Sequence, residues 1–129
     1  MMRKARTYRL GDLQLRIMKV LWAQGEATVA QVHKELGPES DLAYTTVATM
    51  LRKMEARGLV QHRLEARSFV YQAAIAEAAV SRSMADHLLD RLFEGSLAGM
   101  VRHLLSTREV SREELSELER LIAERRKVR

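Results

Sequence analysis

The 129-residue chain contains no cysteine, one proline and few aromatic residues, which make up 5% of it. Without cysteine it can have no disulfide, no thiolate metal ligand and no thiol nucleophile. No apolar run approaches the length of a membrane span, and the opening residues Met-Met-Arg-Lys-Ala-Arg lack the apolar segment of a signal peptide. We therefore expect a cytoplasmic protein with one compact domain or two small ones.

Motifs for catalysis and for metal binding are also missing. No serine, histidine and aspartate fall into a nucleophile motif, and no glycine-rich loop could cradle a phosphate. The four histidines lie far apart, without the close helical spacing of a ligand set; they are His33, His62, His87 and His103. We expect no enzyme activity, no metal and no cofactor, and we expect structural histidines.

Positive charge is concentrated in the first part of the chain. Residues 1–72 hold 12 lysines and arginines against 7 acidic residues, whereas residues 73–129 hold 10 of each. Such an excess favours the approach of a polyanion. The first residues carry several of these cations and form either an arm that contacts DNA or a solvated tail; they are Arg3, Lys4, Arg6 and Arg9.

Residues 43–58 are the most informative segment. Val47, Met50, Leu51 and Met54 recur at helical spacing and predict a buried stripe. The opposite face is short, hydroxylated and cationic, which suits the DNA major groove but on pattern alone also suits an ordinary surface helix. The candidate DNA contacts on this helix are Thr45, Thr46, Thr49, Arg52 and Lys53.

The segments on either side favour DNA binding. A helix is predicted from Asp12 to Gln24, and a second begins at the capping box Thr28-x-x-Gln31. After Gly58 the period changes to that of a short antiparallel hairpin. Three helices and a hairpin are the order of a winged helix-turn-helix.

The hairpin supplies two further candidates. We expect Arg63 and Arg67 to contact phosphates, with an internal bracing role as the alternative for Arg67. Residues 1–73 are thus predicted to be a winged-helix DNA-binding domain with a basic N-terminal arm. The fold class is mainly α, with three helices and a β-hairpin followed by a small three-helix region.

Residues 74–129 are predicted to be that helical region, and to mediate dimerisation. Three short amphipathic helices cannot bury their apolar stripes within so small a unit, so we expect a second copy to cover them. The alternative is that they fold back on the N-terminal domain. The predicted dimer contacts are Val80, Met84, Leu88, Leu92, Met100, Leu104, Leu115, Leu118, Leu121 and Ile122.

The chain resembles the BlaI/MecI penicillinase-repressor family of bacterial transcriptional regulators over about residues 10–122. No single motif is diagnostic, but their order and spacing together are specific. The matching motifs are Leu10-Gly11-Asp12-Leu13, Ile17-Met18-x-Val20-Leu21-Trp22, Thr28-Val29-x-x-Val32, Ala43-Tyr44-Thr45-Thr46-Val47-x-Thr49-x-Leu51, Gly58-Leu59-Val60, Arg67-x-x-x-Tyr71, Leu92-Phe93-x-Gly95-Ser96, Leu104-Leu105 and Ser111-x-x-Glu114-Leu115.

The resemblance implies a homodimeric repressor that binds a dyad operator, often built on TACA/TGTA half-sites. In well-known members a membrane sensor-protease system leads to cleavage in the dimerisation region, after an asparagine. The aligned bond here is His103–Leu104, so derepression by proteolysis and regulation without it both stay open. A branch of the family senses copper through cysteines, which this chain lacks.

A second departure concerns the reading helix. Better-known relatives often carry a long polar side chain at the position of Ala48, so we expect a different operator sequence here. Two functions other than repression are also consistent with the sequence. One is a winged-helix protein-interaction adaptor without sequence-specific DNA binding. The other is a ligand-sensing regulator, which the low aromatic content disfavours.

Overall fold

The computed structural model describes residues 8–37 and 41–128. The first six elements are α1 (Asp12–Gln24), β1 (Ala27–Thr28), α2 (Val29–Leu36), α3 (Tyr44–Ala56), β2 (Val60–Glu65) and β3 (Ser68–Ala73). Three helices follow: α4 (Glu77–Phe93), α5 (Leu97–Thr107) and α6 (Arg112–Lys127). This order confirms the predicted mainly helical class with a winged helix-turn-helix. Within the described ranges, no helix combines the length and the apolar character that a membrane span requires.

Local capping explains where two of the helices begin. The Thr28 amide donates to Gln31 Oε1 at 2.8 Å, and the Gln31 amide donates to Thr28 Oγ1 at 3.2 Å. At the start of α6 the Glu114 amide donates to Ser111 Oγ at 3.1 Å. These bonds satisfy amides that the first turn of a helix leaves without intrahelical partners. The helix start predicted at Thr28 is confirmed.

The hairpin belongs to a three-stranded antiparallel sheet in the order β1-β3-β2. Strand β3 lies in the middle, with Tyr71 opposite Ala27 on one side and opposite His62 on the other. Strand β1 was not predicted, because two residues are too few to show a period of two. It joins the segment before α2 to the hairpin, and thereby fixes the hairpin against the helices.

The hydrophobic core lies between α1, α2, α3 and the inner face of this sheet. Trp22 at its edge donates from Nε1 to the backbone oxygen of Ile75 at 3.0 Å, tying α1 to the segment after the sheet. The buried side chains of the three helices and sheet include Ile17, Met18, Leu21, Val32, Val47, Leu51, Met54, Val60 and Tyr71.

Contacts divide the chain into two compact units, residues 1–85 and 86–129. The first half of α4 therefore belongs with the N-terminal unit. Val80 is 1% exposed in its core, Met84 packs against the same core, and the Tyr8 amide donates to Ser83 Oγ at 2.7 Å. Val80, predicted as a dimer contact, is thus covered by its own chain. The apolar stripe of α4 is buried in the N-terminal core at Val80 but exposed at Leu88 and Leu92.

The second unit contains the rest of α4 with α5 and α6. Ser96 begins α5 by accepting a hydrogen bond from the Gly99 amide at 2.9 Å. From Asp86 to Val128 no side chain is buried. Large apolar side chains are exposed throughout this stretch; they include Leu88, Leu92, Leu97, Leu104, Leu105, Leu115, Leu121 and Ile122.

Candidate nucleic-acid interface

Helix α3 presents its predicted polar face to solvent. Val47, Leu51 and Met54 are fully buried on the side that faces the core. Thr45 and Arg52 lie on the side of the helical wheel opposite this buried stripe, and both are exposed. The predicted orientation of α3 is confirmed. Thr46, Thr49 and Lys53 are exposed as well, whereas Met50 of the predicted stripe is only partly buried.

Contacts at both ends hold α3 in place. Before it, His33 donates from Nε2 to the backbone oxygen of Leu42 at 2.7 Å, and its ring lies edge-on to Tyr44. After it, Arg57 donates to Gln14 Oε1 at 3.2 Å and to the backbone oxygen of Arg9 at 3.1 Å. These side-chain contacts before and after α3 fix the orientation of the helix, and with it the direction of its exposed face.

The exposed face of α3 borders two grooves. One, here called the threonine groove, has a volume of about 260 Å³ and is lined by Thr45, Thr46, Thr49, Met50 and Lys53. The other, here called the wing groove, has a volume of about 320 Å³ and lies between α3, the start of α2 and the hairpin. Side chains that line the wing groove include Tyr44, Ala48, Arg52, Arg67, Phe69 and Tyr71.

Arg52 and Arg67 thus meet at the wing groove, although 15 positions of sequence separate them. Arg67 lies in the two-residue turn between β2 and β3, where Ala66 and Arg67 have φ of 48° and 70°. A turn with two positive φ values matches the twist of a hairpin. Tyr71 lies behind the groove, and burial raises the pKa of its hydroxyl.

Arg63, the other predicted cation of the hairpin, is paired with carboxylates. Its Nη1 donates to Glu26 Oε2 at 2.6 Å and its Nη2 donates to Glu26 Oε1 at 3.0 Å. Nη2 also contacts Glu65. These hydrogen bonds raise the pKa of Arg63, and the bond from Arg63 lowers the pKa of Glu26. Glu26, just before β1, thus reaches Arg63 of β2 across the middle strand β3. The DNA contact expected of Arg63 stays a prediction.

The remaining candidates have simpler outcomes. Arg3, Lys4 and Arg6 of the predicted arm lie outside the described residues, whereas Arg9 is exposed. In the part of the chain that the structure describes, no group of three histidine, cysteine or acidic side chains could hold a metal ion. Three histidines have local partners: Leu42 for His33, Glu55 for His62 and the ring of Phe93 for His103.

The bond aligned with the family's cleavage site, His103–Leu104, lies inside α5. The backbone oxygen of His103 accepts hydrogen bonds from Ser106 Oγ at 3.0 Å and from Thr107 Oγ1 at 2.9 Å. A protease that binds its substrate as an extended strand would need this turn of α5 to unwind first.

Among the residues of the wing groove that sequence reasoning missed are two exposed aromatic side chains, Tyr44 and Phe69. Tyr44, Ala48 and Arg52 step by four residues along α3, so helical spacing could have grouped them on one side. Phe69 alternates with Tyr71 along β3, which is the period of side chains on one face of a strand. No local signal, however, shows that these two faces meet.

Comparison with known proteins agrees with this geometry. The profile of the penicillinase repressor family matches residues 10–124. The penicillinase repressor of Bacillus licheniformis is 32% identical over 115 residues, which cover 89% of this chain and 90% of that protein. The transcriptional regulator BlaI of Mycobacterium tuberculosis strain H37Rv is 34% identical over 122 residues, covering 93% of this chain and 87% of that protein.

Solved structures match the N-terminal fold. The solution structure of the DNA-binding domain of the repressor BlaI is 33% identical with a TM-score of 0.50, and the match covers 60% of this chain and 93% of that one. Monomeric B. licheniformis BlaI in complex with the blaP half-operator is 32% identical with a TM-score of 0.50, covering 57% and 90%. The chain belongs to the penicillinase repressor family, the BlaI/MecI family of repressors that bind DNA and are not enzymes.

Proposed function

We propose that this protein is a homodimeric repressor that occupies a dyad operator through α3 and the hairpin wing. The observation that carries the proposal is the exposed face of α3, where threonines and cations border two grooves. None of the described residues that line these grooves is acidic. A B. licheniformis relative with the same fold is solved on a half-operator, which supports placing DNA on this side.

The two grooves suggest a division of roles. Thr45 lies at the centre of the exposed face, and Thr49 beside it is within 3.4 Å of Arg52 Nη2, which donates to its hydroxyl oxygen. That contact leaves the Thr49 hydroxyl hydrogen available to a base acceptor, and its methyl available to thymine. Lys53 and Thr46, at the edge of the threonine groove, suit phosphates.

Arg52 has two available targets. It is exposed on α3 yet lines the wing groove with Arg67, so it can reach either a base edge or the strand that passes beside the wing. Ala48, which lines the same groove, is half-buried and contributes only a methyl group. Its small size leaves room for the side chain of Arg52. We assign sequence reading on this side to Arg52 and phosphate binding to Arg67.

The exposed apolar faces of α5 and α6 support the proposed dimer. A unit with no buried side chain between Asp86 and Val128 needs a second surface to bury its leucines. A two-fold dimer would set two reading helices on half-sites about one helical turn apart, roughly 10 bp or somewhat more. Six of the predicted dimer contacts are exposed and available to a second copy: Leu88, Leu92, Leu104, Leu115, Leu121 and Ile122.

Titration of labelled duplexes at physiological salt tests the proposal. The wild type should prefer a dyad of TACA/TGTA half-sites, or its own promoter, over a scrambled duplex. Arg52→Ala should weaken dyad binding by about 1–3 kcal/mol if Arg52 reads a base. Arg112→Ala, which removes an exposed cation from the first turn of α6, is the matched control and should bind as the wild type does.

Two outcomes would contradict the proposal. If the protein binds dyad and scrambled duplexes equally, or binds neither, the result would favour the alternative function of a protein-interaction adaptor. A protein that stays monomeric at micromolar concentration would contradict the proposed homodimer. Proteolytic derepression by a membrane sensor-protease is a separate question, since His103–Leu104 lies within a helix and lacks the family's asparagine.

A further inference from the structure

The two arginines of the hairpin have different surroundings. Arg67 lies in the turn, is exposed and lines the wing groove. Arg63 lies in β2, opposite Val70, and its guanidinium is held on two sides by carboxylates. Glu26 binds it through both oxygens, at 2.6 Å and 3.0 Å, and Glu65 contacts Nη2.

This arrangement changes what a phosphate would meet. One guanidinium between two carboxylates carries a local charge of minus one rather than plus one. A forked pair of Arg63 with Glu26 uses the donor geometry with which arginine binds phosphate. All three side chains are about half exposed, so their charges act on nearby DNA within a screening length of about 8–10 Å.

We propose that Glu26 and Glu65 mask Arg63, so that the wing contacts DNA through Arg67 and not through Arg63. This inference rests on the proposed DNA-binding function. The masking lowers affinity for DNA of any sequence, because an unmasked Arg63 would add a phosphate contact that carries no sequence information. Because such a contact would act on operator and nonspecific DNA alike, masking lowers both affinities and leaves their ratio unchanged.

The chain contains a matched control in its second unit. Arg120 of α6 also lies between two carboxylates: it contacts Glu117, and its Nη1 donates to Glu124 Oε1 at 2.6 Å. The three side chains are exposed to a similar degree as those around Arg63. Neutralising the glutamates therefore changes the net charge equally at two places, only one of them on the wing.

The experiment measures binding of full-length protein to a duplex of unrelated sequence by fluorescence anisotropy over a series of salt concentrations. Unmasking Arg63 in the double variant E26Q/E65Q should tighten binding by about 3-fold to 10-fold at 0.1 M salt and steepen the salt slope by about 0.9, the value for one phosphate contact. The control E117Q/E124Q should change affinity less than two-fold, because its charges belong to the second unit, for which no DNA contact is proposed.

A third variant separates masking from contact. In E26Q/E65Q/R63Q the whole cluster is neutral, and we expect nonspecific binding equal to or slightly tighter than that of the wild type. Weaker binding by the triple variant would mean that Arg63 leaves the glutamates to contact DNA, which overturns the proposal. Unchanged binding by E26Q/E65Q, or an equal gain by E117Q/E124Q, would overturn it as well.

Folding and function can be checked independently. Glutamine preserves the shape and an accepting oxygen of each glutamate, and thermal unfolding followed by circular dichroism should confirm intact variants. The single variants E26Q and E65Q should each give part of the gain, which provides a second measurement. Failure of the wild type to bind any duplex would instead overturn the proposed function, whereas wild-type binding with unresponsive variants overturns the masking alone.

Discussion

The two units of this chain use amphipathic helices of similar length in opposite ways. In α3, with 13 residues, Val47, Leu51 and Met54 are fully buried by the rest of their own unit. In α6, with 16 residues, no side chain is buried, and Leu121 and Ile122 are 47% and 56% exposed. Helical periodicity therefore shows that a helix has an apolar face, but not which surface covers that face.

The difference has a consequence for stability and for binding. The N-terminal unit contains its own core and a sheet that closes against it, so it has what a small domain needs to fold alone. The C-terminal unit leaves its leucines in water unless another chain covers them. The proposed DNA contacts are all in the first unit, and the proposed dimer contacts that are exposed are in the second.

Removing the second unit should have the largest effect. A fragment of residues 1–85 should unfold cooperatively and stay monomeric, because its core is complete. Its affinity for a dyad operator should fall by about 10²–10⁴, since the second half-site is no longer bound intramolecularly. Sedimentation and duplex titration measure both properties. A dimeric fragment, or one that binds the dyad as tightly as the full chain, would contradict the comparison.

Replacing a leucine by alanine should have different effects in the two units. Leu51→Ala leaves a cavity in a closed core and should lower the free energy of unfolding by about 2–5 kcal/mol. Urea unfolding followed by the fluorescence of Trp22, the one tryptophan, reports on this unit. Leu121→Ala should leave that transition in place and instead raise the dimer dissociation constant. Equal destabilisation of the Trp22 transition by both variants would show that α6 supports the first core.

Much of the N-terminal fold could be predicted from local sequence. Helix α1 has the predicted bounds, the Thr28–Gln31 capping box begins α2, and the change of period after Gly58 marks the hairpin. The exposed face of α3 followed from spacing alone. Each of these features depends on residues a few positions apart, which is the range over which sequence pattern carries information.

The rest depends on residues far apart in the chain. Glu26 and Arg63 meet across 37 positions, and Tyr8 meets Ser83 across 75. No periodicity connects such pairs, so the pairing of Arg63 with Glu26 and the assignment of the first half of α4 to the N-terminal unit could not be predicted. The wing groove likewise exists only because α3 and β3 pack beside one another.

Helix caps provide a smaller and matched test of the comparison. Thr28→Ala removes a cap in the first unit and should lower the free energy of unfolding reported by Trp22 by about 1 kcal/mol. Ser111→Ala removes the corresponding cap in α6, so we expect it to leave the Trp22 transition unchanged and to weaken the dimer. A shift of the Trp22 transition by Ser111→Ala would indicate that the two units unfold together.

The smallest expected effect is a dependence on pH that belongs to the wing alone. The hydrogen bond from Arg63 lowers the pKa of Glu26 below its usual 4.5, so the pair stabilises the folded unit above that pH and is lost as pH falls through the lowered value. Because both side chains are exposed, the stabilisation should be slight, and a site-resolved measurement is needed. Carbon-13 NMR of the Glu26 carboxyl should give a midpoint below 4.5 in the wild type and an ordinary one in Arg63→Ala. An ordinary midpoint in both proteins would show that the Glu26–Arg63 pair does not persist in solution, and Glu26 could not then mask that arginine.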